Sequence, residues 1–464
     1  MTKMIKRGLS LAIVAVLSMS LFTGCGSKGK ETTTETPTVS EEATEESTVD
    51  EPAKEVTLTL WQQAAAKGQV DIDIENAFLS ENPNIKFNIV EQPDMSTSAV
   101  LAAIAAGNAP SVFGAGYPAT MSYIFQNAIY PIDEFIAETP DFANFDQEQV
   151  DTFLVNGKHY AVPKDKYVMG FIYNKNMFAE AGITAPPTTW DEFYTVCEKL
   201  TDPSKQQYGF GLDGTQWASW HFEQWVWAAG GDLSVKNPDG TATLTFNDPA
   251  VKIAADFYRK LKDNNLIQTD ANMDIDGLCK DFAMGKSGMI VSGLNEINLQ
   301  KLVSLGGKVE DYGYFVNPVG PSGKAYSQIG GDTEFITATK DKDLAAAAWK
   351  WLMFKNSRES YDLIYKDRAS KGTIAAEIIP RTDMNLADYG PVNEEIKAAQ
   401  DASSLIGREE YYAKGAVGAV ADDAVAKWFS DPTADIEQVM KEAQDAATAK
   451  ELKDFNDAVL ASAK

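Results

Sequence analysis

The chain has 464 residues, of which 44% are hydrophobic and 23% charged, as in ordinary globular proteins. This length is too great for one ordinary core and suits two lobes. The formal net charge is −26, so nucleic acid and anionic membrane surfaces would be repelled as partners. The acidity is therefore best explained by solubility, and we expect no nucleic acid partner.

The cysteine content excludes a disulfide framework, because the chain has only Cys25, Cys197 and Cys279. Cys197 follows Phe193 by four residues, which places both on one face of a predicted helix. We expect Cys197 and Cys279 to be buried free thiols rather than a bridge or a metal site. With two histidines in the chain, we predict no metal site and no cofactor.

The N-terminus has the pattern of a secretory signal over residues 1–24: basic residues, the apolar run Leu9–Phe22, and small residues before Cys25. The apolar run, about 14 residues long, is short for a membrane-spanning helix, which needs about 20. Its end resembles a bacterial lipobox, which makes Cys25 the predicted lipidation site, although Phe22 departs from the aliphatic residue usual there. The alternative is an ordinary secretory signal that ends near a cysteine.

Residues 25–55 follow as a stretch rich in Thr, Ser and Glu, with almost no large apolar side chains. Such a composition cannot bury a core, and its charges repel one another. We therefore predict a disordered acidic tether between the lipidated Cys25 and the folded part, rather than a domain.

From Val56 onward, predicted strands and helices alternate. The first five elements are the strand Val56–Trp61, the helix Ile72–Leu79, the strand Ile85–Val90, the helix Ser98–Ala106 and the short strand Ser111–Phe113. Further strands are predicted at 160–163, 170–173, 288–291 and 312–316, and further helices at 190–200, 222–229, 251–264 and 344–355. After residue 380 the pattern is mostly helical. This alternation predicts α/β folding with parallel sheets covered on both faces.

Several short segments in this order carry a resemblance to a known family. They are the first strand Val56–Trp61, the run Leu101–Phe113, the segments Gly157–Pro163 and Ile172–Phe178, the run Pro186–Phe193, and the glycine-containing segments Ala228–Gly231, Gly285–Met289 and Gly330–Asp332. Together they resemble the extracellular solute-binding proteins of ATP-binding-cassette (ABC) sugar importers, of the maltodextrin-binding type. Ser111 stands where that family often has Asp.

The resemblance implies two doubly wound α/β lobes with a hinge and a ligand cleft, the type II fold of periplasmic binding proteins. The implied first lobe comprises residues 56–164 and about 333–378, and the second about 165–332 and 379–464. The resemblance also implies that the protein binds a carbohydrate, which we expect to be an oligosaccharide, and passes it to membrane permease subunits. From the N-terminus we expect a lipid anchor in the cell membrane of a bacterium, expected to be Gram-positive, and we expect the protein to be a monomer. No enzymatic activity and no catalytic residue are expected.

A sugar site needs flat aromatic rings for apolar C–H faces, beside amides and carboxylates for hydroxyl groups. Trp61 and Gln63, at the end of the first strand, are candidates from the resemblance. Tyr117 follows the third strand on a predicted loop. In the aromatic cluster at residues 217–227, Trp217 and Trp220 are predicted to face the cleft, and Trp225 to pack in the core.

Polar candidates follow other strands or the crossings between lobes: Asp165, Asn295, Glu296, Asp332 and Glu334. The glycines before Asp332 would let backbone approach a ligand closely. The alternative for each acid is an ordinary surface salt bridge. Tyr411 and Tyr412 are weaker candidates, and we predict Trp349 and Trp351 to be core residues.

Two other functions remain open from the sequence. A glycoside-active enzyme would need paired carboxylates, whose separation a sequence does not give, although no recognised catalytic motif is present. Alternatively, the same fold could bind a peptide, a polyamine or a glycerophosphodiester. Basic side chains along the cleft would point to phosphate, whereas most of the candidates above are aromatic or acidic.

Overall fold

The computed structural model describes residues 54–62, 67–92, 96–212, 218–268, 270, 273–294, 296–371 and 377–462. Cys25 and residues 1–53 lie outside this range. Among the helices described, none has the length and apolar character that crossing a bilayer requires.

The strands are β1 Val56–Gln62, β2 Ile85–Glu91, β3 Val112–Gly116, β4 Val162–Pro163, β5 Tyr167–Asn174, β6 Tyr208–Gly211, β7 Ser234–Lys236, β8 Ala242–Leu244, β9 Ser287–Gly293, β10 Tyr312–Phe315, β11 Ser327–Gly330, β12 Asp332–Ile336 and β13 Gly407–Glu409. The helices are α1 Gln69–Glu81, α2 Thr97–Ala106, α3 Tyr117–Phe125, α4 Asp133–Ile136, α5 Gln147–Asp151, α6 Lys175–Glu180, α7 Trp190–Leu200, α8 Ala218–Ala229, α9 Pro249–Asp263, α10 Ile275–Ala283, α11 Glu296–Ser304, α12 Lys342–Lys355, α13 Arg358–Ser370, α14 Glu394–Leu405, α15 Lys414–Ser430, α16 Ile436–Ala449 and α17 Glu451–Ser462. Short 3₁₀ turns lie at Pro140–Asn144, Pro203–Lys205, Val309–Asp311 and Leu386–Asp388.

Two main sheets organise these elements. The first has the order β2-β1-β3-β12-β4, and in the second, of order β13-β11-β5-β9-β6, β10 also pairs with β5. Alternation along β1 explains why it forms a covered strand: Leu58 and Leu60 are buried, whereas Thr57 is exposed. The α/β prediction is confirmed.

The prediction of purely parallel sheets is wrong in part. β1 is parallel to β2 and β3, but β12 runs antiparallel to β3 and β4, and β5 antiparallel to β9, β10 and β11. The antiparallel strands β4, β5, β11 and β12 carry the chain between the sheets, through residues 164–166 and through Gly331. A strand that returns to its original sheet need not follow the parallel strand-helix-strand rule.

Local signals set the helix ends as the sequence predicted. The hydroxyl oxygen of Thr189 accepts a hydrogen bond from the Glu192 N–H (3.3 Å), and the Glu192 carboxylate accepts one from the Thr188 N–H (2.7 Å). Gly107 ends α2 with φ of +74°, a conformation that glycine adopts without steric cost. Burial agrees as well: Cys197 and Cys279 are buried free thiols, and Trp225, Trp349 and Trp351 are core residues.

A third passage joins the sheets between α13, which contacts α1, and α14, which contacts β5. Ile378 forms a bridge with Lys166 of the first passage. Beyond it, the buried guanidinium of Arg381 pairs with Asp141 (2.8 Å) and Asp383 (2.9 Å). The segment that follows Ile378 is therefore fixed by charge to the turn that contains Asp141.

The C-terminal helices bring the two halves of the chain together. α15 packs on α8, beside the second sheet, and also on α3, which directly follows β3 of the first sheet. A Cβ at Gly415 would lie 2.1 Å from the Pro118 carbonyl oxygen, so the start of α15 touches the backbone of α3. One hydrophobic cluster accordingly contains Phe113 of β3, Phe222 of α8 and Val417 of α15.

Candidate functional site

The two strand crossings meet, and three of the predicted site residues meet with them. The Asp332 N–H donates to Oδ1 of Asp165 (2.9 Å), and the Lys164 N–H donates to the Asp332 carbonyl (3.0 Å). The Tyr117 N–H donates to the carbonyl of Gly331 (3.0 Å). Tyr117, Asp165 and Asp332 thus form one hydrogen-bonded junction between the sheets.

Burial and charge at this junction shift the pKa of Asp165. Burial, followed by repulsion from the Asp332 carboxylate, raises the pKa of Asp165 to about 6, although the Lys164 ammonium opposes this shift. Lys164 lies 3.5 Å from Oδ2 of Asp332. Asp165 therefore gains a proton far more readily than an exposed aspartate does.

The glycines of the crossing do not leave room for a ligand, in contrast to the sequence prediction. A Cβ at Gly331 would lie 2.4 Å from the Asp165 carbonyl oxygen and 2.7 Å from the Tyr117 ring, and one at Gly330 would lie 2.3 Å from the Tyr167 hydroxyl. The space is taken by protein because the crossing strands and two tyrosine rings converge here. These glycines are needed for packing.

A cavity of about 210 Å³ lies between α3 and the segment 409–414, which runs from the last residue of β13 to the first residue of α15. We name it the inter-sheet cavity, because its walls come from elements attached to both sheets. Four aromatic residues line it, Tyr117, Phe153, Tyr411 and Tyr412, together with Glu409, Glu410, Lys236 and Lys414. Rings beside carboxylate and ammonium groups suit a ligand with apolar faces and hydroxyl groups.

An ion-pair cluster lies on the wall of this cavity. Nζ of Lys414 is 2.6 Å from Oε2 of Glu410 and 3.6 Å from Oε2 of Glu223. The Glu223 side chain is fully buried and accepts a hydrogen bond from Nε2 of Gln328 (2.5 Å), in the crossing strand β11. The cluster therefore joins α8, β11 and the start of α15.

Burial governs the ionisation of this cluster. It raises the pKa of Glu223 to about 8, against the opposing effect of Lys414. Burial alone would lower the pKa of Lys414, but Glu223 and Glu410 raise it, so the ammonium stays charged. Burial, with the charge of Lys414 second, lowers the pKa of His221 to about 3, so this histidine is neutral.

The backbone next to Lys414 is strained. Ala413, the residue before α15, has φ of +67°, in the left-handed region that residues other than glycine seldom adopt. Such strain persists where the surrounding structure fixes it, and it clusters at binding sites. It sets Tyr412 and Lys414 on the cavity wall together.

Trp220 lies behind this wall. Its ring is partly buried, and Nζ of Lys414 lies 5.7 Å from the ring centroid. The Tyr167 ring meets it edge-on at 6.2 Å between centroids. Among the described residues, Lys414 lines the cavity and Trp220 does not. The Trp220 indole can therefore affect the cavity through Lys414.

A second cavity, of about 420 Å³, is lined by residues of the first sheet and of α1, α12 and α13. Trp61, Lys164, Asp332 and Glu334 are among the residues that line it. Glu334 is buried and pairs with Lys355 (2.5 Å). Burial raises the pKa of Glu334, but Lys355 and Lys164 lower it by more, so Glu334 is ionised.

The remaining predicted residues cannot be placed. Gln63, Trp217, Asn295 and the lipidation site Cys25 lie outside the described residues. Glu296 begins α11, but its side chain is also outside them. Among the described residues, no group of three or more His, Cys, Asp or Glu side chains is arranged to hold a metal ion.

The family profile of bacterial extracellular solute-binding proteins matches residues 53–360, well over half of the chain. The chain belongs to this family. Its members bind solutes, a role that a cavity between two sheets suits.

Two curated relatives of this solute-binding protein match it over about two thirds or more of their own length. A putative binding protein of Brucella abortus is 27% identical over 402 residues, which cover 81% of this chain and 92% of that protein. The diacetylchitobiose-binding protein DasA of Streptomyces coelicolor is 25% identical over 294 residues, covering 62% and 67% of the two chains.

A solved structure shares the fold. The ABC substrate-binding protein Lmo0181 of Listeria monocytogenes, in complex with cycloalternan, superposes with a TM-score of 0.70 at 19% identity, covering 85% of this chain and 99% of the other. The two-lobed type II fold of periplasmic binding proteins is thereby confirmed.

Sequence reasoning missed the charged members of the inter-sheet cavity. Glu410 and Lys414 stand four residues apart, a spacing that would be visible as a helical ion pair. Their burial, and the approach of Glu223 from α8, depend on how α15 packs and give no sequence signal. Tyr411 and Tyr412, the weaker candidates, do line the cavity.

Proposed function

We propose that this solute-binding protein captures a carbohydrate, expected to be an oligosaccharide, in the inter-sheet cavity and delivers it to the permease subunits of an ABC importer. The observation that carries the proposal is the cavity wall: four aromatic rings beside a buried Glu410–Lys414 pair, with contributions from both sheets. Two relatives whose names or titles state a saccharide, diacetylchitobiose and cycloalternan, support the same ligand class.

We propose the lobe division that the sequence suggested, with one adjustment. Residues 56–164 and 333–378 form the first lobe, and 165–332 and 379–464 the second, hinged at the crossings around Asp165, Gly331 and Ile378. The ion pair between the buried Arg381 and Asp141 favours moving the segment 380–389 to the first lobe. Closure of the hinge would follow when a ligand contacts both walls.

The proposed ligand contacts are distributed over the two cavities. Tyr117 would pack against the sugar from the first lobe, with Trp220 placed behind Lys414 in the second. Trp61 and Asp332 would extend the site into the larger cavity. Asp165 is better explained as a hinge residue and Glu334 as an internal ion-pair partner. Gln63, Trp217, Asn295 and Glu296 are proposed as contacts on sequence grounds alone.

We further propose that the protein acts outside the cytoplasm as a monomer without enzymatic activity. Lipidation at Cys25, with a palmitate among the attached chains, would anchor it to the cell membrane of a Gram-positive bacterium, and residues 26–55 would serve as a tether. The lipobox-like Thr23-Gly24-Cys25 after a signal-like apolar run supports this location.

A thermal-shift screen of the Glu55–Lys464 fragment tests the function, since residues 53–464 form one compact unit. The panel contains maltose, maltotriose, diacetylchitobiose, mannitol, spermidine, a tripeptide and glycerophosphocholine. We expect a saccharide to raise the melting temperature, because a ligand that binds only the folded state stabilises it. Stabilisation by spermidine, the tripeptide or glycerophosphocholine alone would contradict the carbohydrate assignment.

A further inference from the structure

The wall of the inter-sheet cavity carries glutamate carboxylates as well as lysine ammonium groups. Both lysines on that wall have acidic neighbours. Lys414 lies between Glu410 and Glu223, and Glu409 lines the same cavity as Lys236. The charge of Lys414 is therefore already compensated before a ligand arrives.

The pairing of Lys414 with carboxylates matters because these charged groups are buried. The side chains of Lys414, Glu410 and Glu223 are 11%, 8% and 0% exposed, so water cannot screen them effectively. A buried ammonium without a counter-charge is costly, and it lowers that cost by recruiting an anion. A cavity wall that carried Lys414 without its glutamates would thus attract phosphate or carboxylate.

We propose that Glu410 acts as a specificity-determining residue, with Glu223 packed beside it: by neutralising Lys414, Glu410 restricts the inter-sheet cavity to uncharged hydroxylated ligands and excludes sugar phosphates and uronates. Glu410 shares the cavity wall with Lys414 and can accept hydrogen bonds from ligand hydroxyl groups. Glu223 is a positioning residue, since it lies behind Lys414 and is tied to β11 through Gln328. The choice of a saccharide as the ligand rests on the proposed function, but the charge balance around Lys414 is a property of the unliganded protein.

The test isolates the charge of Lys414. The double variant Glu223→Gln/Glu410→Gln leaves the ammonium unpaired, and the triple variant that adds Lys414→Met removes it while keeping both glutamines. Trp220 reports on the local charge because its ring centroid lies 5.7 Å from Nζ of Lys414. Its emission is obtained by subtracting the spectrum of the same variant carrying Trp220→Phe.

We expect iodide to quench Trp220 at least about twofold more effectively in the double variant than in the triple variant, with caesium quenching changed in the opposite direction. The wild type should resemble the triple variant. Calorimetry should show D-glucuronate binding the double variant at least about tenfold more tightly than the triple variant. In the wild type, D-glucose should bind more tightly than D-glucuronate.

Equal iodide quenching in the double and triple variants would overturn the proposal, as would a wild type that binds D-glucuronate as tightly as D-glucose. If the double variant does not melt cooperatively, wild type and Lys414→Met are compared instead. Stronger iodide quenching in the wild type than in Lys414→Met would then show an uncompensated ammonium and overturn the proposal, and equal quenching would support it. Failure of every saccharide to bind would count against the proposed function while leaving the quenching result standing.

Discussion

Asp165 joins the two crossings, and its ionisation makes the stability of the junction depend on pH. Its pKa of about 6 in the folded protein lies above the value of about 3.9 expected in an unfolded chain. The folded state therefore binds the proton more tightly, and the free energy of unfolding falls as pH rises from about 4 to about 7. The carboxylate is tolerated at neutral pH at a cost in stability.

We expect Asp165→Asn to be more stable than the wild type at pH 7, by on the order of 1–2 kcal/mol, and nearly equal to it at pH 4. The asparagine oxygen can still accept the hydrogen bond from the Asp332 N–H, so only the charge is lost. Urea unfolding at pH 4, 5.5 and 7 measures the difference. Asp445→Asn, at an exposed position of α16, is the control, and a pH-independent difference for Asp165→Asn would contradict the assigned ionisation.

Truncation of Trp220 distinguishes a role in ligand binding from a role in core packing. If it supports the ligand site, Trp220→Ala should weaken saccharide binding at least about thirtyfold, as the truncation of aromatic hot spots does. Trp225→Ala is the matched control on the same helix: its indole is 2% exposed, so its loss should cost about 3–5 kcal/mol of stability. Titration calorimetry and urea unfolding measure the two quantities. Intact affinity with a sharply lowered unfolding midpoint would assign Trp220 to the core.

At the scale of residues, the sequence indicated which side chains to consider better than it indicated which other residues they contact. Tyr117 and Asp165 were selected because each follows a predicted strand, and Asp332 because it follows two glycines; the crossings bring the three together. The Glu223–Lys414 approach joins positions that are remote in sequence, so only tertiary packing reveals it.

At the scale of elements, the Arg381 pair fixes the third passage. The guanidinium is fully buried and bonds to Asp141, Asp383 and the Asn356 carbonyl. Removing one partner of a buried pair is strongly destabilising, because it leaves the other uncompensated. Here the acids are partly exposed, so water can compensate part of the loss.

We expect Arg381→Met to lower the free energy of unfolding by about 2–4 kcal/mol. Arg358→Met is the matched control, since that side chain is 47% exposed and lies 3.8 Å from the same Asp383; it should cost less than about 1 kcal/mol. Urea unfolding of both variants gives the comparison. A loss for Arg381→Met no larger than for Arg358→Met would show that the buried pair does not secure the passage.

The elements themselves were largely predictable. Helix α7 was predicted at its observed bounds, because a threonine cap and an apolar stripe coincide there. The antiparallel direction of β5 and β12 was not predictable, because the direction of a strand depends on which sheet the chain enters next. The strand predicted at 160–163 is present but shorter, since β4 covers only Val162–Pro163.

At the scale of the whole molecule, we predict that the lipid anchor determines where the protein is located but does not affect its folding. Cys25→Ser should fold and melt like the parent chain yet appear in the soluble fraction, because no lipid would be attached. Cell fractionation followed by immunoblotting measures this, with Cys279→Ser as the thiol control. Retention of Cys25→Ser in the membrane fraction would contradict lipidation at this residue.

Hinge closure predicts a change in overall dimensions. When a saccharide contacts both walls of the inter-sheet cavity, the lobes should approach, and the radius of gyration from small-angle X-ray scattering should fall. The Trp220→Ala variant at the same saccharide concentration is the control. An unchanged radius in a saturated wild-type sample would indicate a rigid cavity.

The crossing at Gly331 also limits where this chain can change in length. Only that residue separates β11 from β12, in which Phe335 packs into the core shared with Phe113, while Glu334 pairs with Lys355 on the opposite face. Side chains alternate along a strand, so one inserted residue would have to bulge out or exchange the two faces, moving Phe335 towards Lys355 and Glu334 into the apolar core. Insertions and deletions among homologues should therefore avoid this point, and a reporter domain placed here would abolish folding rather than report closure.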